Sequence, residues 1–404
     1  MSDLFDDLAG QGARVRGRAE PVTGIQPSVL RWARESQGYS REEAAAHIKR
    51  SPDDIMAWES GEAAPTYAQL EKLAYTVYKR PLAVFFLPAP PAEPSVKKEF
   101  RTLPDSELDQ LSPDTLYQLR LARAFQLSLR ELNDGVNPAQ RKVFRDVDFS
   151  TSMNPQEAAS SLREYLRISL DTQISWASND DALKSWRNAV EETGVFVFKH
   201  AFKQKSISSF CLVEDEFPLI YLNNSTTKTR QIFSLFHELA HLLLHLNSLS
   251  MLNTAYIESL PRKEKRIEQF CNAFTAELLI PGDDFSEQAG LVGSFGDETV
   301  KGLAKRYHVS RETVLRRALD RGLVTREHYM AKARQWAGER KSGGTGGNYF
   351  ATQASYLGEH YMQLVFGKHY QGRLTVEQVA EYLGVKTKSV ADLEMLMLRK
   401  GAPA

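Results

Sequence analysis

The sequence has little that would place it outside a cell or in a membrane. Cys211 and Cys271 are its only cysteines, too few for a disulfide framework, so the chain of 404 residues suits a reducing compartment. No apolar run approaches the roughly 20 residues needed to cross a bilayer. The first residues are acidic, whereas a secretory signal begins with basic residues. We therefore predict a cytoplasmic protein with no membrane contact.

A net charge is also lacking, because 51 Lys and Arg balance 51 Asp and Glu. Taken over the whole chain that balance argues against nucleic-acid binding, but it is a cancellation between regions. Residues 299–341 contain twelve basic and four acidic side chains, a net charge of +8, which leaves −8 for the rest of the chain. Such asymmetry indicates an anion-binding surface.

The apolar pattern predicts an α+β protein that is mostly helical. At 42% hydrophobic residues the chain can build packed cores, and its length suggests about two to four domains. Short apolar runs at 195–198, 210–213 and 219–222 predict a small sheet between helical regions. The prolines from Pro88 to Pro94 and the glycine-rich run 342–347 predict two interruptions of the fold.

The strongest chemical signal is the sequence HELAH at residues 237–241. On a helix, His237 and His241 lie one turn apart on the same face, so both imidazoles can bind one Zn²⁺ while Glu238 acts as general base. The flanking residues are apolar nearly all round, which predicts a buried helix. Buried histidines and carboxylates need partners, and a metal supplies them. The alternative is a pair of core histidines with Glu238 in a salt bridge.

A second apolar helix contains Glu268, 27 residues after His241, in the run EQFCNAFTAELLIP from Glu268 to Pro281. Together with HELAH, this run resembles the ImmA/IrrE family of bacterial and phage metallo-endopeptidases. The resemblance implies that His237, His241 and Glu268 are the zinc ligands and that Glu238 is the catalytic glutamate. Cys271 and Thr275 stand where the family pattern has small alanines, and neither is a ligand position.

Two further residues are expected to support the ligands. Asn272 lies on the same helix face as Glu268. His245 continues the face of His237 and His241, but a fourth protein ligand would close a catalytic site that must keep one position open.

We predict that the strand Leu219–Leu222 pairs with an extended substrate. Tyr221 and His245 are candidates for stabilising the oxyanion.

Residues 28–78 resemble an XRE-type (Cro/repressor) helix-turn-helix domain. The resemblance rests on features that include the run Trp58-Glu59-Ser60-Gly61 and a capping box of Ser40 and Glu43. It implies a five-helix domain whose helix from Ser51 enters the major groove. The predicted DNA contacts are Arg31, Arg34, Arg41, Lys49, Arg50 and Ser51. Asp53 and Asp54 would oppose phosphate binding, so a protein–protein module stays open as the alternative.

The basic segment contains a second pattern of this kind at residues 303–319. Ser310 would cap a helix that presents Arg311, Arg316 and Arg317, which we predict to contact nucleic acid. The alternative is that the segment packs against the metal site. A third pattern at residues 379–390 predicts a helical element for partner binding or homodimerisation.

The predicted organisation follows from these motifs. It comprises a flexible tail (1–24), the helix-turn-helix domain (25–88), a Pro-rich linker and connecting helix (89–135), a zincin-like peptidase core (136–290), a basic helix-turn-helix-like segment (291–341), and a Gly-rich joint with a C-terminal helical element (342–404).

The function implied by the resemblance is a zinc endopeptidase fused to a DNA-binding domain. Its expected substrate is a helix-turn-helix repressor or an antitoxin-like protein, cut in response to DNA damage, stress or foreign DNA. Two alternatives stay open. One is a transcription regulator or antitoxin whose peptidase core only senses a ligand, and the other is a regulator that cleaves its own linker between Pro88 and Pro94.

Overall fold

A computed structural model describes residues 20–93, 96–100, 103–292, 294–339 and 348–401. The α+β prediction is confirmed, because the protein is mostly helical with one small mixed sheet of four strands. The predicted tail before residue 20, the glycine-rich joint at 342–347, and Arg340 and Lys341 of the basic segment lie outside the described residues.

The first described part is a group of short helices. It consists of α1 (Pro27–Ser36), α2 (Arg41–Ile48), α3 (Pro52–Ser60), α4 (Tyr67–Glu71) with a π-helical continuation (Lys72–Val77), and a 3-10 helix (Leu82–Phe86). The capping box of Ser40 and Glu43 is present at the start of α2. Ser51 and Asp54 form another at the start of α3. Buried apolar side chains such as Ile55, Leu70 and Phe85 give this group a core of its own.

A run of helices precedes the sheet. Its members are α5 (Val96–Glu99), α6 (Asp105–Leu108), α7 (Pro113–Leu132), α8 (Val143–Asp146), α9 (Pro155–Leu166), α10 (Leu170–Ser175) and α11 (Asn179–Glu191).

The sheet has the strand order β1-β3-β2-β4. Its strands are β1 (Phe196–His200), β2 (Ile207–Leu212), β3 (Leu219–Asn223) and β4 (Ser248–Met251). The β1–β3 pair is parallel, and β2 is antiparallel to both β3 and β4. The first three strands were predicted from their apolar runs. The fourth was missed because alternate serines in Ser248–Met251 leave it without such a run.

The two faces of the sheet are covered by different helices. Val197, Cys211 and Ile220 share one core with the helices that follow the sheet. Phe198, Phe210 and other side chains of the opposite face share a second core with α7 and the C-terminal helices. This alternation follows from the two-residue period of a strand. The sheet therefore separates the helices of the metal motif from the C-terminal helices.

The remaining elements follow β3. They are α12 (Lys228–Leu243), then β4, a 3-10 helix (Thr254–Ser259), α13 (Arg262–Leu279), α14 (Gly282–Leu291), α15 (Asp297–Tyr307), α16 (Arg311–Asp320), α17 (Arg326–Glu339), α18 (Tyr349–Leu357), α19 (Glu359–Tyr370), α20 (Val376–Leu383), a 3-10 helix (Thr387–Ser389) and α21 (Val390–Gly401). Thr227 caps α12 by accepting a hydrogen bond from the backbone of Arg230. Within the described ranges, none of these helices combines the length and the apolar character needed to span a membrane.

Candidate metal centre

Three ligand-type side chains converge between α12 and α13. Nε2 of His237 lies 3.2 Å from Nε2 of His241. The carboxylate of Glu268 completes a triangle, with Oε2 at 3.4 Å from His237 Nε2 and Oε1 at 3.3 Å from His241 Nε2. All three residues are buried. Among the described residues this is the one group of three or more His, Cys, Asp or Glu residues close enough to share an ion.

The three groups approach one another at distances that suit a shared zinc ion. With metal–ligand bonds of about 2.0 to 2.1 Å, tetrahedral ligand atoms lie about 3.3 Å apart. The imidazole nitrogens are 3.2 Å apart, and each lies 3.3 or 3.4 Å from one of the two oxygens of Glu268. Two neutral imidazoles and one carboxylate are also ligands that Zn²⁺ accepts. The residues present therefore fit a divalent metal such as zinc.

Charge within the triangle also favours a bound cation. Burial by itself would raise the pKa of Glu268, yet the adjacent His241 and His237 hold that pKa below its usual range. Burial would likewise lower the pKa of His241, but Cys271 and Glu268 raise it above its usual range. In both cases the surroundings stabilise positive charge beside the carboxylate. A divalent ion meets this electrostatic demand more fully than a proton does.

Packing holds the two imidazole rings. Nδ1 of His237 and Nδ1 of His241 are buried, and neither has a hydrogen-bond partner among the described residues. The ring of Phe233 stacks on the ring of His237, with centroids 6.2 Å apart. Asn272 lies at the edge of the same site but makes no recorded hydrogen bond to either histidine. Its predicted supporting role stays a prediction.

Glu238 points towards the sheet. Its Oε1 accepts a hydrogen bond of 2.7 Å from Ser209 Oγ on β2, and its Oε2 accepts one from Ser248 Oγ on β4. The side chain is fully buried. Two hydroxyl donors satisfy a carboxylate that would otherwise be costly to bury. Neither serine was identified from the sequence, although hydroxyls in otherwise apolar strands are a signal that could have drawn attention to them.

A narrow cleft opens next to the metal triangle. Tyr256, on the 3-10 helix after β4, donates a hydrogen bond of 3.4 Å from its hydroxyl to Glu268 Oε2. Burial, assisted by the charge of Glu268, raises the pKa of Tyr256 above its usual range. Arg230 donates from Nη2 to the backbone oxygen of Met251, 3.1 Å away. The cleft is lined by Ser208, Arg230, Phe233, Ser234, His237, Ser250, Met251, Tyr256, Glu268 and Asn272.

Three predictions about the surroundings of the metal are wrong. Helix α12 ends at Leu243, so His245 leaves its face; it is exposed and its Nε2 lies 3.0 Å from Asp148 Oδ1. The hydroxyl of Tyr221 donates to Gln118 on the opposite side of the sheet. Strand β3 is paired on both sides, which leaves no edge for a substrate, whereas β4 is an edge strand and its Ser250 and Met251 line the cleft beside the metal triangle.

The predicted DNA contacts of the first helices divide into two sets. Arg34 is buried and binds the carboxylate of Glu59, with Nε–Oε1 and Nη2–Oε2 distances of 2.6 and 3.0 Å, so its prediction as a phosphate contact is wrong. Arg41 also binds Glu59, and Arg31 donates to the backbone oxygen of Glu59. The remaining three, Lys49, Arg50 and Ser51, are exposed in the turn before α3.

The basic segment is partly neutralised by carboxylates of neighbouring elements. Arg317 is buried against Glu277 of α13, so its prediction as a nucleic-acid contact is also wrong. Arg316 is exposed and pairs with Asp320 at 3.0 Å. Arg311 lies over the ring of Trp336, 4.9 Å from its centre. Further basic side chains of the segment pair with carboxylates outside it, namely Arg306 with Asp284 and Lys332 with Asp297. Part of the +8 charge is therefore paired with carboxylates from outside the segment.

The comparisons with known proteins concern the region that contains this site. Residues 190–319 match the family profile of the IrrE N-terminal-like domain of peptidase family M78. The matched range contains the whole sheet, both helices of the metal triangle and part of the basic segment. No curated protein matches the chain. Peptidase family M78 is a metallopeptidase family, so residues 190–319 of this chain resemble a metallopeptidase domain.

Proposed function

We propose that the protein is a zinc-dependent endopeptidase whose metal ligands are His237, His241 and Glu268. The observation that supports this most strongly is the metal triangle, because its three buried groups approach one another at distances close to the ligand spacing of a zinc site and its electrostatics favour a cation. The match of residues 190–319 to a metallopeptidase family agrees with this proposal.

A zinc ion in this triangle would polarise the carbonyl of a peptide bond and make a water molecule more acidic. The protein side chains then have separate roles. Glu238 takes the proton of the attacking water and passes it to the leaving amine. Ser209 and Ser248 hold its carboxylate by hydrogen bonds, and the edge strand β4 offers main-chain hydrogen bonds to an extended substrate.

We further propose that the first helices bind DNA and that the substrate is a helix-turn-helix repressor or an antitoxin-like protein, cut in response to DNA damage, stress or foreign DNA. Support comes from the sequence pattern of residues 28–78 and from the exposed Lys49, Arg50 and Ser51 before α3.

The hydrogen bonds of Glu238 favour the alternative of a sensor that does not cleave. Both oxygens of Glu238 are engaged by serine hydroxyls, so its carboxylate must exchange one of these hydrogen bonds to reach a water molecule.

One experiment separates the two functions. Purified protein with zinc is incubated with any small helix-turn-helix repressor found to be encoded beside its own gene, and also with a proteome-derived peptide library read by mass spectrometry. We expect cleavage by the wild type and none by Glu238→Gln, which keeps all metal ligands. Equal zinc content of both proteins, measured by elemental analysis, is the control. Zinc binding without cleavage of any repressor or peptide by the wild type would favour the sensor.

A further inference from the structure

Peptide hydrolysis places negative charge on the carbonyl oxygen, and enzymes commonly meet that charge with a fixed hydrogen-bond donor. Neither Tyr221 nor His245 lies in the cleft. We propose that Tyr256 is a catalytic residue whose phenolic hydroxyl donates a hydrogen bond to the carbonyl oxygen of the scissile peptide. This inference rests on the proposed peptidase function. The proton remains on the phenol throughout, so no covalent step is added.

Position is the first argument for Tyr256. Its hydroxyl lies 3.4 Å from Oε2 of Glu268, and that same oxygen lies 3.4 Å from Nε2 of His237. The phenol therefore lines the cleft and contacts one of the candidate metal ligands directly. A separation of 3.4 Å is also long for a hydrogen bond between oxygens, whose usual length is about 2.7 to 2.8 Å. The donor is thus held weakly and can turn to a stronger acceptor.

The other hydroxyls near the metal triangle either already donate a hydrogen bond to a protein group or belong to side chains too short to extend far into the cleft. Ser209 and Ser248 donate to Glu238. Ser208 donates to the backbone oxygen of Ser250, 3.1 Å away. Ser234 and Ser250 also line the cleft. Their side chains are short, and the backbone hydrogen bonds of α12 and β4 hold the two residues in place. Tyr256 combines a long side chain with a place on a short 3-10 helix.

The chemistry of the phenol suits the role. With an ordinary pKa near 10, a tyrosine is a protonated donor throughout the neutral range. Tyr256 lies five residues after the end of the edge strand β4, along which an extended substrate would lie. A peptide bond brought over the metal triangle by pairing with β4 would therefore pass within reach of the phenol. Removal of the hydroxyl should then affect the transition state more than the bound substrate.

The test compares Tyr256→Phe with Tyr221→Phe, a matched control that loses the hydroxyl of a buried tyrosine on the other face of the same sheet. A cleavable sequence is first found with the peptide library and made as a fluorogenic peptide. We expect kcat of Tyr256→Phe to fall by about 10²- to 10³-fold, with KM changed by less than about threefold. The Tyr221→Phe variant should keep wild-type kcat.

A positioning role for Tyr256, acting through Glu268, would give a different result. In that case zinc affinity, measured by competition with a chromogenic chelator, would fall in Tyr256→Phe, and excess zinc would restore kcat. That result, or an unchanged kcat, would overturn the proposal. A phosphinic peptide of the cleaved sequence carries the oxyanion permanently, and we expect its affinity for Tyr256→Phe to fall in proportion to kcat/KM. If the wild type cleaves nothing, it is the peptidase function itself that fails.

Discussion

The hydroxyl of Ser209 donates a hydrogen bond of 2.7 Å to Oε1 of Glu238, so strand β2 holds the side chain that follows the first histidine of the metal triangle. Removing one donor from a buried carboxylate destabilises the folded protein by more than the net contribution of an average hydrogen bond. The reason is that the cost of removing the carboxylate from water is then no longer offset.

We therefore expect Ser209→Ala to lower the free energy of unfolding by about 1 to 3 kcal/mol. The measurement is urea denaturation followed by circular dichroism. Ser250→Ala is the matched control, since Ser250 is the cross-strand partner of Ser209 and its buried Oγ has no hydrogen-bond partner in the described structure. If the free energy of unfolding fell equally in the two variants, the hydrogen bond from Ser209 to Glu238 would make no specific contribution to stability.

Metal binding should depend on the carboxylate of Glu268. Zinc at about 100 times its dissociation constant stabilises a folded protein by about 2.7 kcal/mol, so it should raise the Tm of the wild type. Glu268→Gln removes one ligand of the triangle, and we expect the zinc-dependent rise in Tm to disappear together with stoichiometric zinc. The exposed Glu287→Gln should behave as the wild type in thermal unfolding and in elemental analysis.

Two adjacent arginines should differ sharply in their effect on stability. The side chain of Arg317 is 7% exposed and pairs with Glu277, whereas that of Arg316 is 59% exposed and pairs with Asp320. Removing one partner of a buried pair costs about 3 to 5 kcal/mol, and an exposed pair contributes less than about 1 kcal/mol. We expect Arg317→Ala to unfold at a much lower urea concentration than Arg316→Ala. Similar midpoints would contradict the buried pairing.

Lys199 on β1 should make stability depend on pH. Burial, assisted by the charges of Arg187 and Lys228, lowers its pKa to about 7. In the unfolded chain a lysine has a pKa of about 10.4, so between these values the unfolded state holds a proton that the folded state has released. The free energy of unfolding therefore rises with pH across that window.

The measurement is urea denaturation at several pH values from 6 to 10. Lys199→Met should lack the part of the rise that comes from this group, and the exposed Lys205→Met should keep it. Parallel pH curves for the wild type and Lys199→Met would mean that Lys199 titrates normally in the folded protein.

The metal triangle could be predicted from sequence because its ligands lie on two helices and follow a fixed spacing. His237 and His241 are one turn apart, and Glu268 lies on the next long helix. Ser209, Ser248 and Tyr256 could not be found in the same way. They reach the site from two strands and a turn, and only the tertiary fold brings these segments together.

The charged residues show a different limit. A prediction from sequence treats each basic side chain as exposed, and so the helix-turn-helix pattern predicts that Arg34 contacts DNA, as the basic segment does for Arg317. Their partners, Glu59 and Glu277, lie 25 and 40 residues away in the sequence, so the pairing depends on how the helices pack. The edge of the sheet was misplaced for a similar reason, because strand order is not visible in the separate apolar runs of β1, β2 and β3.

Helix α13 carries Glu268 near its middle and Glu277 near its end, two and a half turns apart. Glu268 belongs to the metal triangle, while Glu277 faces Arg317 and Arg321 of the basic segment. A helix transmits axial displacement along its length, so metal occupancy and the arrangement of α16 are expected to be thermodynamically linked in both directions. Added zinc should then slow amide hydrogen exchange in residues 311–320, and exchange there that is indifferent to zinc would show that the two ends of α13 act independently.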